Sequence, residues 1–143
     1  MLSNRSVPPC TVIPVLFYPD VTEAADWLCA AFGFTVRLRI GNHRIQLRVS
    51  SGNEARSDDG YLVIAEGNAV VDIAHLVMIR VPDAHQHCER ARQHGADILV
   101  TPTDHVYGER QYQARDYAGH RWTFTQSIAD VAPEQWGGTA VDL

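Results

Sequence analysis

The sequence contains no lysine: all 12 of its basic residues are arginine. Schiff-base chemistry and a phosphate-loop lysine are therefore excluded. Cysteine is scarce, and Cys10, Cys29 and Cys88 are odd in number and widely spaced, with no C-x-x-C pair. That pattern suggests neither a disulfide framework nor a zinc ribbon, and it suits a reducing compartment. No apolar run is long enough to span a bilayer, and residues 1–9 lack the apolar stretch of a secretory leader. A cytoplasmic protein is expected. Cations are outnumbered as well, since 17 acidic residues leave a formal charge of −5. A nucleic-acid partner is disfavoured, because binding it requires an excess of cations to displace counterions from phosphate. Neither a Gly-x-Ser-x-Gly elbow nor a cysteine–histidine arrangement offers a nucleophile.

What is present is a folding chain. Its 143 residues are 45% hydrophobic and 20% charged, enough apolar material for a compact core. An internal repeat organises it. Tyr18-Pro19-Asp20 is echoed by Val81-Pro82-Asp83, 63 residues later. A strand-like apolar run precedes each, at 12–17 and 76–79, and a helix-like segment ending at Gly33 or Gly95 follows each. Asp20 and Asp83 suit the N-cap, where a carboxylate accepts from the orphan first-turn N–H groups. Glu23 adds a capping box to the first. Ala24, Trp27, Leu28 and Ala31 recur at helical spacing, while Ala84, Cys88 and Ala91 make a thinner stripe. Both glycines suit the left-handed position that stops a helix.

Period-two strands follow each helix. In the first half, Phe34, Val36, Leu38 and Ile40 alternate with Thr35, Arg37 and Arg39. A turn at Gly41-Asn42 leads to a strand at 44–49, a polar loop at 51–60 and a short buried strand at 61–65. The second half has a short strand at 97–100, a loop at 101–108, and strands at 109–115 and 121–125 around an Ala118-Gly119 turn. The order β-α-β-β-β is thus given twice. It implies an α+β fold of two tandem modules, about 10–67 and 73–128, with two sheets that each carry a helix on the convex face. Residues 1–9 form an arm and 129–143 a tail in which Trp136 is a candidate anchor.

Two stretches carry a family likeness. One is Ala30-Ala31-Phe32-Gly33-Phe34. The other runs from Tyr107-Gly108-Glu109-Arg110-Gln111-Tyr112 into Arg115-Asp116-Tyr117-Ala118-Gly119-His120-Arg121-Trp122-Thr123-Phe124. With the repeat, they make the chain over about 10–128 resemble the vicinal oxygen chelate superfamily: glyoxalase I, extradiol dioxygenases and bleomycin-resistance proteins. Tyr117 stands where that superfamily usually has proline. The likeness implies the fold and not one function, because the superfamily hosts lyases, isomerases, dioxygenases and non-catalytic drug binders. It also implies mixed sheets curled around a cavity with the helices on the outside, and a homodimer that completes two cavities.

Enzymes of this kind hold a divalent metal with His, Gln or Glu from the first and last strands of each module, where it polarises substrate oxygens. By the likeness those places fall at about Ile13, within 61–65, at Leu76 and at Thr123. None is a conventional ligand. His75 adjoins Leu76, but a one-residue offset in a strand reverses the face. No metal site and no other cofactor is therefore expected. His85, His87 and His94 read as solvated helix residues, and His120 as part of a structural turn.

The face opposite the first helix is expected to carry Arg37, Arg39, Arg44, Gln46 and Arg48, which suits an anionic or carboxylate ligand held by guanidinium forks. Phe17, Tyr107 and Tyr112 are candidate aromatic walls, and His75, His105 and Thr123 candidate polar contacts. The first functional expectation is a metal-free small-molecule binder that sequesters its ligand. The alternatives are a glyoxalase-like lyase or isomerase, or a dioxygenase, with an atypical site using groups such as His75, Tyr107 and Glu109, and an interaction protein whose cavity is filled from within.

Overall fold

A computed structural model describes residues 4–50, 56–68 and 74–141. Five residues of the expected polar loop, 51–55, lie outside these. The first module comprises β1 (Val15–Tyr18), α1 (Val21–Phe32), β2 (Thr35–Ile40), β3 (Arg44–Val49) and β4 (Gly60–Glu66). In the second, β5 (Val77–Arg80), α2 (Ala84–Gln93), β6 (Asp97–Asp104), β7 (Glu109–Arg115) and β8 (Arg121–Ser127) repeat the order, and a short 3-10 turn (Pro133–Trp136) follows. Each module forms one four-stranded sheet, ordered β1-β4-β3-β2 and β5-β8-β7-β6. In both, the strand before the helix pairs in parallel with the last strand, and the other pairs are antiparallel. The α+β architecture of two repeated modules is as the sequence implies. The strand β6 is longer than expected, running through residues 101–104.

Local chemistry explains the helices. Asp20 accepts from the Glu23 N–H at 3.0 Å and Asp83 from the Gln86 N–H at 3.0 Å. Gly33 ends α1 at φ 80°, in the left-handed region that a side chain would strain. In α2, His94 takes the cap position and Gly95 the left-handed one, at φ 88°. Asp20→Ala and Asp83→Ala should each cost about 1 kcal/mol. Urea denaturation of the two variants checks this, and the double variant should show the sum because the caps are far apart in sequence and share no partner.

One face of each sheet is covered by its helix, and the two covered faces merge in one core. Val21, Ala24, Ala25, Leu28, Ala31 and Phe32 of α1 pack with Ala84, Cys88 and Ala91 of α2. Phe32 lies 5.4 Å from Trp122 and 4.7 Å from Phe124, ring centre to ring centre, so aromatic contact joins the modules. Polar bonds reinforce the joint. Trp27 Nε1 donates to the His94 carbonyl, Arg90 Nε to the Ala30 carbonyl, and Tyr18 Oη to Asp116. Among the described residues the two sheets do not close into a barrel.

The register of β2 departs from simple alternation. Thr35 pairs with Arg48 and Val36 with Leu47, but Leu38 then pairs with Gln46 and Arg39 with Ile45. Arg37 is the extra residue of a β-bulge, and every side chain after it changes face. Leu38 and Ile40, expected under the helix, therefore share the open face with Gln46 and Arg44.

Candidate functional site

The open faces are assembled strand by strand. On the first sheet, Leu16, Tyr18, Ile45, Leu47, Leu62 and Ile64 enter the core. Alternation then puts Val15, Phe17, Arg44, Gln46, Arg48, Tyr61, Val63 and Ala65 on the other side. On the second sheet, Tyr112, Ala114, Trp122 and Phe124 enter the core, which leaves Met78, Arg80, Gln111, Gln113, Thr123 and Thr125 opposite.

The expected cationic face is only partly formed. Arg37 and Gln46 meet there: Arg37 donates to Gln46 Oε1, and its guanidinium carbon stands 6.0 Å from the Tyr61 ring centre. Arg48 is engaged, donating to Asp59 at 3.1 Å and to Thr35 Oγ1 at 3.3 Å. The Arg56 backbone N–H, together with Arg48, holds the buried Asp59 carboxyl below the usual range despite the cost of burial. Arg39 is a correction. The bulge at Arg37 turns it to the helix side, where its charge acts on Cys29 of α1. Tyr112 is a second correction. It is wholly buried in the core, and its hydroxyl bonds His87 Nδ1. Burial pushes its phenol well above the ordinary value. His87 is a third. It is half-buried, and its Nε2 donates to the Phe32 carbonyl at 2.9 Å.

The other candidates are spread around the second sheet and the module joint. Phe17 is half-exposed on the open side of β1. His75 is exposed just before β5, with the parity of Val77 rather than Met78. Thr123 is buried between Met78 and Gln113. His105 stacks on Tyr107 at 5.0 Å, and Trp136 meets Tyr107 edge-on at 5.6 Å, which docks the tail. His120 is structural, with Nε2 donating to the Phe17 carbonyl at 2.9 Å.

A polar chain that sequence reading did not assemble crosses the second open face. Tyr107 Oη donates to Gln111 Oε1, Gln111 Nε2 to Thr125 Oγ1, and Thr125 Oγ1 to Glu109 Oε1. Burial pushes the Glu109 carboxyl up, but Ser127, Thr125 and the charge of Arg80 outweigh it, so it lies below its usual range. Glu109 and Gln111 share strand parity with Gln113 against Tyr112 and Ala114, and that signal was present in the sequence.

A concavity lies where the two modules meet. A cleft of about 440 Å³ is lined by Val12 and Pro14 ahead of β1, by Gly60, Tyr61 and Leu62 of β4, and by Val77, Met78, Ile79 and Arg80 of β5; Cys10, Val49 and Asp58 complete it. Its size suits a small ligand, and its lining is mainly apolar with two charged groups. None of the ligand-binding residues expected from sequence lines it.

A family model for the Glyoxalase/Bleomycin resistance protein/Dioxygenase superfamily matches residues 11–124. The chain belongs to this superfamily. TioX from Micromonospora sp. ML1 is 30% identical, covering 86% of this chain and 100% of its own, with a TM-score of 0.65. Two further solved structures share the fold at 14% identity. A family enzyme from Burkholderia phytofirmans PsJN covers 81% of this chain and 97% of its own, at a TM-score of 0.66. The fosfomycin resistance protein FosX from Listeria monocytogenes covers 88% and 94%, at 0.62. No match was found among curated proteins.

The superfamily's metal can be tested against these side chains. At the positions implied for its ligands stand Ile13, Val63 beside Val15, Leu76, and Thr123 beside Met78. Three hydrocarbon side chains and one hydroxyl make a poor donor set for a divalent ion. Among the described residues, no three His, Cys, Asp or Glu come together to hold one. The side chains at these positions do not fit the group.

Proposed function

We propose that this superfamily member binds and sequesters a small molecule without a metal, as a homodimer. The carrying observation is the inter-module cleft, a mainly apolar space of about 440 Å³ in which Asp58 and Arg80 are the charged groups. Apolar walls with a few polar groups give affinity and orientation without chemistry. Homodimerisation is supported by the exposed Phe17 on β1 and Leu76 just before β5, both strands lying at sheet edges. The fosfomycin resistance protein among the fold neighbours fits small-molecule handling, at the level of fold analogy.

Purified protein should carry no stoichiometric divalent metal by elemental analysis. A panel of aromatic carboxylates and glycopeptide drugs should include a compound that raises the melting temperature. At a hundredfold excess over Kd the stabilisation is about 2.7 kcal/mol, or roughly 5–10 °C. Tightly bound stoichiometric metal would overturn the metal-free reading. Sedimentation at micromolar concentration tests the dimer, and a monomer there removes it.

A second reading is a lyase or isomerase with an atypical site, favoured by the Tyr107–Gln111–Thr125–Glu109 chain, which supplies a carboxylate held ionised as a base. Turnover of a panel compound, abolished by Glu109→Gln, would select it.

A further inference from the structure

The open face of β2 and β3 is covered by the protein's own N-terminal arm. Arg37 donates from both terminal nitrogens to the Arg5 carbonyl, at 3.3 and 3.4 Å. Gln46 Nε2 donates to the next carbonyl, that of Ser6, at 2.8 Å. Because Arg37 also bonds Gln46 Oε1, the two side chains act as one unit aimed at two consecutive carbonyls. Gln46 is only 2% exposed, and Pro8 is buried while Val7 is half-exposed. Residues 4–9 form no helix or strand. The arm's backbone is held here as a guest would be, by side-chain donors on a sheet face.

Arg48 pairs with Asp59 and Arg39 lies on the helix side, while Arg44 shares the face but stands one pair further along β3, opposite Ile40. A neutral amide donor beside a single guanidinium, both already matched to carbonyl oxygens, is a poor cradle for a carboxylate. Such an anion needs a full set of charge-assisted partners to offset its desolvation.

We propose that residues 5–8 are an intramolecular occupant of this face, and that ligands admitted in their place present two adjacent neutral carbonyls, as a peptide or diamide does. The proposal rests on the reading that this chain binds small molecules, and it assigns a ligand chemistry to this face, whose Arg37 and Gln46 do not line the inter-module cleft. An incoming ligand competes with the arm, so apparent affinity in the intact chain is reduced by the fraction of time the arm is seated.

Deleting residues 1–8 tests this, with the Gln46 side-chain amide followed by nitrogen-15 NMR. The deletion should shift that amide. A synthetic peptide of residues 1–9 should return it toward its original position in a saturable titration at millimolar concentration. Arg37→Ala in the truncated chain should weaken the titration by about tenfold or more, and the intact chain should not respond. Should the truncated chain fail to fold, Pro8→Asp in the full chain expels the arm by placing a charge at a buried position, and the same titration applies. An unshifted Gln46 amide, or no response to the peptide, overturns the proposal. A response to benzoate but not to the peptide also overturns it, yet leaves small-molecule binding standing.

Discussion

Replacing Asp116 with alanine should cost about 4 kcal/mol, a large share of the ~5–15 kcal/mol that holds a domain folded. Asp116 is buried in the turn between β7 and β8, and its carboxylate accepts four hydrogen bonds. Two come from the Ala118 and His120 backbone N–H groups, each at 3.0 Å, and they shape the turn. The others come from Trp122 Nε1 at 3.1 Å and from Tyr18 Oη at 2.6 Å. Tyr18 and Trp122 are wholly buried, so removing the acceptor strands two donors away from water. Each stranded donor costs about 1–3 kcal/mol, and bonds to a charged acceptor sit at the upper end. Burial and the facing Asp116 together hold the Tyr18 phenol protonated, so it remains a donor across the working range of pH.

Tyr18 belongs to β1 and Asp116 to the second module, so this bond fixes one half of the chain to the other. His120, donating to the Phe17 carbonyl, adds a second tie at the same place. Graded variants keep the test readable if the alanine form does not fold. Tyr18→Phe should lose about 1 kcal/mol, the net value of one hydrogen bond, and Asp116→Asn about 2 kcal/mol because one carbonyl acceptor survives. Urea denaturation should rank wild type, Tyr18→Phe, Asp116→Asn and Asp116→Ala in falling order. Equal stability of wild type and Asp116→Asn would show that the charge contributes nothing.

The same turn shows how far the sequence speaks. Arg115-Asp116-Tyr117-Ala118-Gly119-His120 was readable as a structural motif, and His120 as structural, because a turn is specified by its own few residues. Asp20, Asp83 and Gly33 were readable for the same reason: capping and termination are local rules. The open face was harder. Strand alternation places side chains correctly only until a bulge, and nothing in Thr35–Ile40 marks Arg37 as the extra residue. Arg39 was misplaced for that reason. Tyr112 and His87 were different errors, since their signals were present. Tyr112 shares parity with Ala114 against three polar neighbours. His87 completes an i, i+3, i+4, i+7 stripe with Ala84, Cys88 and Ala91. Polar chemistry drew the first toward a pocket and the second toward solvent. The arm's seat on Arg37 and Gln46 joins residues some 40 positions apart and has no periodicity to announce it.

The half-buried His87 makes stability depend on mild acid. Nε2 of His87 faces the Phe32 carbonyl, which can only accept, so Nε2 carries the proton. Nδ1 is then the acceptor for the Tyr112 hydroxyl. The neutral ring thus satisfies both partners, and it also caps a carbonyl left open at the end of α1. Protonation would turn Nδ1 into a donor and place a charge among Phe32, Phe124 and Tyr112. Burial lowers the His87 pKa from 6.5 to about 4; the Phe32 carbonyl opposes that fall and Arg90 adds to it. Above pH 6.5 the ring is neutral in both states and costs nothing. As pH falls below 6.5 the unfolded chain takes up a proton that the folded chain refuses until about pH 4. Stability should therefore drop across that window by about 3 kcal/mol and then level off. Other groups titrate too, so the measurement is a difference. His87→Gln keeps an amide donor for Phe32 and a carbonyl acceptor for Tyr112, but it cannot titrate. The stability of wild type relative to His87→Gln, from urea denaturation at a series of pH values, should fall by that amount between pH 7 and pH 4. A constant difference would mean that the folded ring titrates normally and that its burial exerts no electrostatic cost.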